Sequence, residues 1–287
     1  MYVLFLSLPI PPLSPSQRSL SLDFCSASIG EISVWNSDED IPLATLACGH
    51  MEAVGLQWSP AAGLLAGGSQ SGCLNFFSVI ESATEGKWTI SLIAAVSTRS
   101  NSMVMSTAFS ADGMRAAAGH TDGTVSIFDT ETHSFVTTIR TPHDLPIRSL
   151  AFSVDGNTLV TGCEDSRVGL MAAAGSGSSS SNGGNGGGGG AGSSTTMIAA
   201  ATNASLLSGH LAFITCVATS PIKNIIASSS ADKTIRLWDT TNGEALFTLS
   251  VHGDKTNAVA FSPDGIKLAS VSDAGTLAIS NVNALKE

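Results

Sequence analysis

The chain has 287 residues, of which 43% are hydrophobic, and a formal net charge of −10. A chain of this length and apolar content can bury a substantial core, whereas its acidic balance gives no general positive field for nucleic-acid phosphates or anionic lipid. Direct binding to nucleic acid or to a membrane surface is therefore not expected.

The start of the chain and its cysteines indicate an intracellular, reducing compartment. The first segment, "MYVLFLSLPIPPL", is apolar but lacks the basic region and the small-residue cleavage site of a secretory signal. It is also too short for a membrane span. The five cysteines are far apart and include no Cys-x-x-Cys pair, so they predict neither a zinc site nor a disulfide framework.

A unit of about 42 or 43 residues recurs along the chain. The segments "FSADG", "FSVDG" and "FSPDG" begin at Phe109, Phe152 and Phe261, and two strand-like segments joined by a turn follow each of them. Alternating apolar residues between Asp/Gly turns, as in "TIRLWD", predict β-strands. The turn position falls at Ile29, Ser71, Asp122, Asp165, Asp232 and Ala274. Six units of four short strands predict an all-β propeller with six recognisable blades, as one domain over residues 1–287.

One interval between turn positions is longer than the others. It measures 67 residues, and the excess over the repeat nearly equals a Gly/Ser-rich run over residues 172–196. Lengthening a hairpin loop in this way costs about 2 kcal/mol of closure entropy, which one packed blade can absorb. The run is therefore predicted to be a disordered insertion within one blade and not a domain boundary.

The fifth unit resembles the Trp-Asp (WD) repeat family, since it carries Gly209-His210, Asp232 and Trp238-Asp239 in the family's order. The resemblance implies a structural hydrogen-bonded tetrad within the blade, formed by His210, Ser228, Asp232 and Trp238. A Ser-His-Asp hydrolase is the alternative, but it would need an exposed Ser228, and no Gly-x-Ser-x-Gly elbow is present. No catalytic residue, cofactor or metal site is therefore expected. The "GH" at Gly119-His120 falls in a hairpin and is interpreted as a chance occurrence.

The order of the units indicates a resemblance to one particular subfamily of WD-repeat proteins. "PIRSL" from Pro146 and "LASVSD" from Leu268 look like parts of the WD-repeat subunit shared by the superkiller (Ski) complex and the polymerase-associated-factor (Paf) elongation complex, known in plants as the vernalization-independence type. This resemblance implies a non-catalytic adaptor of the nucleus and cytoplasm. Its implied partners are a tetratricopeptide scaffold and a helicase in 3′–5′ mRNA decay, and elongation-complex subunits in transcription and histone modification. No small-molecule substrate is implied.

Partners of that subunit dock largely on the propeller's top face. The residues that match it here are Met105, Arg148, Phe213, Thr215 and Asn257. We expect Phe213 and Arg148 to contribute most, because aromatic residues and arginine dominate interface energies. The alternatives are a packed aromatic and a solvated arginine. Another WD-repeat adaptor, such as a substrate receptor of a ubiquitin ligase, would have the same fold with other partners.

Closure of the ring is expected to be incomplete. The family has seven blades, whereas six units can be counted here. Tyr2–Leu8 fits the innermost strand of the first unit, and nothing ahead of it can provide the outer strand that normally completes the last blade. An open strand edge of this kind invites pairing with another chain.

Overall fold

The structure is a computed structural model. It describes residues 5–6, 24–28, 31–35, 41–47, 53–59, 63–81, 87–98, 100, 102–173, 198–200 and 204–286. The predicted disordered insertion over residues 172–196 lies outside the described residues, apart from its first two positions.

Six sheets follow one another along the chain, and we number them as blades one to six. The first two blades contain β1 (Phe5–Leu6), β2 (Phe24–Ser28), β3 (Glu31–Trp35) and β4 (Ala44–Ala47), then β5 (Ala53–Trp58), β6 (Leu64–Ser69), β7 (Cys73–Glu81) and β8 (Trp88–Ser97). The third and fourth contain β9 (Val104–Phe109), β10 (Arg115–His120), β11 (Thr124–Asp129) and β12 (Ser134–Arg140), then β13 (Ile147–Phe152), β14 (Thr158–Cys163), β15 (Arg167–Ala172) and β17 (Ser205–Ser208). The fifth and sixth contain β18 (Ile214–Thr219), β19 (Ile225–Ser230), β20 (Ile235–Asp239) and β21 (Ala245–Leu249), then β22 (Thr256–Phe261), β23 (Lys267–Ser272) and β24 (Leu277–Asn281).

Apolar clusters between successive blades form the core. Between the fifth and sixth blades, for example, Ile235 and Leu237 pack with Val259 and Phe261. Comparable clusters join the first to the second, the second to the third, the third to the fourth and the fourth to the fifth blade. The predicted all-β propeller is thus confirmed. No helix in the described part of the chain is long and apolar enough to span a membrane.

Hydroxyl groups on the inner strands also connect neighbouring blades. Each donates to a backbone carbonyl of the adjacent blade. The donors and acceptors are Thr107 to Gly55, Ser106 to Ile147 (3.0 Å), Thr219 to Phe152 (2.8 Å) and Thr215 to Thr256 (2.5 Å). Every junction from the second to the sixth blade has at least one such bond.

The turn between the second and third strands has a left-handed residue in five blades. The residues with positive φ at this point are Gly72, Gly123, Ser166, Lys233 and Gly275. Glycine adopts this conformation without the strain that a Cβ introduces. A Cβ on Gly123 would also lie 2.4 Å from the His143 carbonyl oxygen, whereas one on Gly275 would have no neighbour within 4 Å.

The segment between β15 and β17 contains a strand that the sequence did not predict. β16 (Ile198–Ala200) pairs in parallel with β12, so the third blade gains a fifth strand from a segment that belongs to the fourth. β15 and β17 pair with each other directly despite the long segment between them.

The sixth blade has three strands in the described part of the chain. β24 leads into a 3₁₀ helix, Val282–Lys286. Within the described residues, no apolar cluster joins this blade to the first. This agrees with the expected incomplete closure.

Candidate functional site

The fifth blade brings together the four residues of the predicted tetrad. His210 Nδ1 lies 2.8 Å from the Asp232 carboxylate, and its Nε2 lies 2.8 Å from the Ser228 hydroxyl. Trp238 Nε1 donates to the same hydroxyl at 2.8 Å. This series of hydrogen bonds therefore links the loop that precedes the inner strand, hereafter the leading loop, to the turn that contains Asp232. It also links that loop to the two strands that contain Ser228 and Trp238.

Proton positions in this group follow from the chemistry of its members. A carboxylate only accepts, so Nδ1–H of His210 donates to Asp232, and Nε2 accepts from the Ser228 hydroxyl. The order Asp, His and Ser matches a hydrolase triad, but Ser228 is 0% exposed and its oxygen accepts from Trp238. A nucleophile must reach its substrate. This geometry therefore supports a structural role.

The pKa values of the pair reflect burial and hydrogen bonding. Burial alone would raise the pKa of Asp232, but hydrogen bonds from the Thr234 hydroxyl, the Leu211 amide and His210 outweigh it and lower the pKa to about 2. Burial lowers the pKa of His210, although Asp232 opposes this effect. The group is thus a neutral imidazole beside a carboxylate at neutral pH.

Related groups occur in the fourth and sixth blades. His143 lies 2.6 Å from Asp165 and 2.9 Å from the Thr161 hydroxyl, in the same arrangement as in the fifth blade. In the sixth blade, His252 lies 2.8 Å from the Ser270 hydroxyl, and the Thr276 hydroxyl, at 2.9 Å, takes the place of the carboxylate. The same hydrogen-bond pattern is thus formed in these blades although the residues at the serine and aspartate positions differ.

In the third blade the buried histidine comes from a different position in the repeat. His120 is fully buried at the end of β10, with Nε2 2.9 Å from the Ser126 hydroxyl and Nδ1 3.3 Å from the Ser102 carbonyl. The hydroxyls of Ser100 and Ser102 donate to the Asp122 carboxylate from the leading loop. His120 thus lies at the end of β10 and not in a leading loop, so the interpretation of its "GH" as a chance match to the motif is confirmed. Its buried hydrogen bonds give it a structural role that the sequence did not predict. The absence of a leading-loop histidine from this unit was the available signal.

A second cluster in the fourth blade contains three groups that could hold a metal ion. Ligand atoms of His143, Cys163 and Asp165 lie within 4.8 Å of one another. However, both ring nitrogens of His143 are engaged in hydrogen bonds, and burial raises the pKa of the Cys163 thiol to about 12. A thiolate is the form that binds metal. The cluster therefore does not fit a metal site.

Two of the predicted partner-binding residues form a pair across the fourth and fifth blades. The Arg148 guanidinium carbon lies 5.1 Å from the centre of the Phe213 ring, and its Nη2 lies 2.6 Å from the Glu164 carboxylate. Leu145 and Leu211, in the leading loops of the two blades, are exposed, and Leu211 is 90% exposed. We call these residues, with Arg148 and Phe213, the top-face patch.

The other three predicted partner-binding residues are half-buried. The Thr215 hydroxyl donates to the Thr256 carbonyl, and the Asn257 amide donates to the Asp273 carboxylate. Met105 lies near the start of β9. Two of the three therefore make polar contacts within the propeller. Phe213 is half-buried as well, so Arg148 is the one exposed residue among the five.

Two family models match the chain. The WD domain, G-beta repeat, matches residues 202–239 and 243–279, which include the tetrad of the fifth blade. The model for the nucleolar protein 10-like, N-terminal domain matches residues 25–179, more than half of the chain. The chain is a WD-repeat protein with a nucleolar protein 10-like N-terminal propeller domain.

Individual WD-repeat relatives share part of their length with this WD-repeat protein. It is 25% identical to periodic tryptophan protein 2 of Arabidopsis thaliana over 89% of this chain and 25% of the relative. It is 44% identical to lissencephaly-1 homolog 1 of Paramecium tetraurelia over 22% of this chain and 16% of the relative. The chain thus spans a quarter or less of these relatives' length.

A solved structure supports the fold. A chain in the crystal structure of the mitotic checkpoint complex superposes with a TM-score of 0.69 at 20% identity, over 90% of this WD-repeat protein and 71% of that chain. At this identity the likeness concerns the fold alone. WD-repeat propellers generally serve as scaffolds for protein interactions.

Proposed function

We propose that this WD-repeat protein is a non-catalytic adaptor that binds partner proteins on its top-face patch. The observation that carries the proposal is the Arg148–Phe213 pair, together with an exposed leucine in the leading loop of each of the same two blades. Arginine and aromatic residues are enriched among the residues that dominate interface energies, and exposed leucines gain free energy when a partner buries them. The buried, fully bonded Ser228 supports the non-catalytic part of the proposal.

More specifically, we propose that the protein is the WD-repeat subunit shared by the Ski and Paf complexes. Its support is the order of the units and the segments "PIRSL" and "LASVSD", the first of which contains Arg148 of the top-face patch. In this role the protein acts in the nucleus and the cytoplasm. Its partners are a tetratricopeptide scaffold and helicase in mRNA decay, and elongation-complex subunits in transcription.

Copurification tests both levels. The tagged chain is expected to recover the tetratricopeptide scaffold, the elongation-complex subunits or both, and Phe213→Ala is expected to lose them. Ile222→Ala is a matched control, because Ile222 is an exposed aliphatic residue of the same blade, 60% exposed, in the turn at the opposite end of the strands.

The outcomes separate the adaptor role from the finer assignment. Recovery of neither set of partners would contradict the Ski and Paf assignment. Recovery of another protein that Phe213→Ala abolishes would support the adaptor role alone. Equal recovery by wild type and Phe213→Ala would contradict docking on the top-face patch.

A further inference from the structure

The side of the sixth blade that points away from the fifth is apolar and open to solvent. Leu277 and Ile279 on β24 are 65% and 66% exposed, and Val271 on β23 is exposed beside them. One repeat earlier, the equivalent positions are Ile235 and Leu237, which are 0% and 1% exposed because the sixth blade covers them. We call Val271, Leu277 and Ile279 the far face of the sixth blade.

β24 is also the outermost strand of its sheet within the described residues. In each of the other five blades a fourth strand lies beside the third, as β21 lies beside β20 in the fifth blade. The sequence of β24, "LAISN", contains no charged residue and no proline. Proteins commonly use such residues to protect an exposed strand edge from pairing. The edge of β24 is therefore both open and unprotected.

The residues that follow β24 turn away from this edge. The Val282 amide donates to the Ile266 carbonyl at 2.8 Å, and the Val282 side chain is buried in the cluster between the fifth and sixth blades. The Asn283 side chain accepts a hydrogen bond from Lys223 of the fifth blade. The 3₁₀ helix thus lies against the fifth blade and leaves the edge of β24 uncovered.

The backbone of β24 offers a defined set of donors on the open edge. In β20, the Asp239 amide donates toward the fourth strand, to the Glu244 carbonyl at 2.9 Å. Alternate residues of a strand donate to the same side. By the 42-residue repeat, three amides point to the open edge: those of Leu277, Ile279 and Asn281.

We propose that the open edge of β24 takes up an extended segment of a partner protein as its fourth strand. The chemistry of that segment follows from β21, where Leu249 lies opposite Ile235 and Phe247 lies opposite Leu237. Both β21 side chains pack against the cluster between the fifth and sixth blades. The partner segment is therefore antiparallel to β24 and carries two apolar side chains at alternate positions.

In this proposal the open edge of β24 and the far face of the sixth blade contribute differently to recognition of the partner segment. Main-chain hydrogen bonds to the open edge provide affinity, and the alternate apolar side chains against the far face provide specificity. The surface lies apart from the top-face patch, so this proposal does not depend on the adaptor function.

The test uses a fluorescent peptide with the sequence of residues 244–250, which contain β21, the fourth strand of the fifth blade. The peptide is added to the full chain. NMR amide exchange is expected to slow at Leu277, Ile279 and Asn281 when the peptide binds. Leu277→Asp is expected to raise the dissociation constant of the peptide, measured by fluorescence anisotropy, at least about tenfold. Val154→Asp is the control, because Val154 is an aliphatic residue that is 50% exposed but lies in a turn of the fourth blade, away from the edge of β24 and outside the top-face patch.

Several results would overturn the proposal. Failure of the peptide to bind, unchanged exchange at the three amides, or equal binding by Leu277→Asp would each do so. Protection of these amides in the chain alone would show that the edge is already covered. If that protection rises with protein concentration, a second copy is the occupant, and if it does not, the chain covers its own edge.

Discussion

The guanidinium group of Arg148 lies over the ring of Phe213, so a side chain of the fourth blade covers an aromatic side chain of the fifth. Glu164 holds the other side of the guanidinium in an ion pair. The Arg148 guanidinium thereby contacts one side chain in each of the two blades. The two residues that the sequence favoured for partner binding thus form one surface across two blades.

Arg148→Ala is expected to affect binding more than folding. Exposed cation–π contacts and surface ion pairs each contribute about 1 kcal/mol or less, so the loss of both should lower the free energy of unfolding in urea by no more than about 2 kcal/mol. Recovery of partners in copurification should fall sharply, and Arg148→Lys should restore little of it because lysine lacks the planar guanidinium. A loss of stability well above that range would show that the pair mainly holds the blades together.

Ser228→Ala is expected to lower the free energy of unfolding by about 1 to 3 kcal/mol. The substitution leaves Trp238 Nε1 without its acceptor and His210 Nε2 without its donor in a buried site. Urea unfolding measures the loss. Ser250→Ala, at an exposed serine just after the fourth strand of the same blade, should change stability by no more than about 0.5 kcal/mol. Equal effects of the two substitutions would contradict the structural role of the tetrad.

Acid is expected to destabilise the fifth blade in two pH ranges. The pKa of His210 is lowered in the folded chain, so the unfolded chain binds the proton first and stability falls as the pH drops below about 6.5. The pKa of Asp232 is lowered to about 2, so its contribution is present above about pH 4 and is lost as the pH falls toward 2.

Melting temperatures measured from pH 8 to pH 2 check this expectation. Asp232→Asn should be less stable than wild type at pH 7 and should lose less stability between pH 4 and pH 2. Parallel curves for the two proteins would contradict the assigned role of the carboxylate.

Equivalent core positions in the last two blades are expected to respond differently to truncation. Leu237→Ala should cost about 2 to 5 kcal/mol, because the side chain is buried between the fifth and sixth blades. Ile279→Ala, one repeat later, should change the free energy of unfolding by no more than about 0.5 kcal/mol, because the side chain is exposed. A large loss for Ile279→Ala would mean that the far face is covered in solution.

Gly123→Ala is expected to destabilise the chain more than Gly275→Ala. Both glycines have positive φ in equivalent turns, so an alanine at either site costs about 1 to 2 kcal/mol of backbone strain. Only at Gly123 does the added Cβ also collide with a backbone oxygen, that of His143. Thermal unfolding of the two variants gives the comparison, and equal losses would exclude a contribution from the collision.

The number and order of the blades could be predicted because their signals are local. A turn residue such as Asp232, a strand alternation such as "TIRLWD" and a fixed spacing all lie within one unit. The residues of the fifth-blade tetrad could be named for the same reason. The disordered state of the run over residues 172–196 remains a prediction, as does the assignment to particular complexes.

Contacts between blades and exceptions within them could not be predicted. The pairing of Arg148 with Phe213 depends on how two units pack, which no spacing within a unit records. His120 carries the letters of a leading loop but fills a buried position whose neighbours, Ser102 and Ser126, are apparent only in three dimensions. The strand β16 has three residues, too few for an alternation to be recognised.

The inner-strand hydroxyl bonds have a consequence for the order in which the propeller comes apart. The third blade is fastened on both sides, through Thr107 to the second blade and through Ser106 to the fourth. Among the described residues, the sixth blade receives such a bond from one side, through Thr215. In an array whose stability adds up over nearest neighbours, fraying therefore begins at the terminal sheet, and a protease would cut there while the middle of the array stays intact.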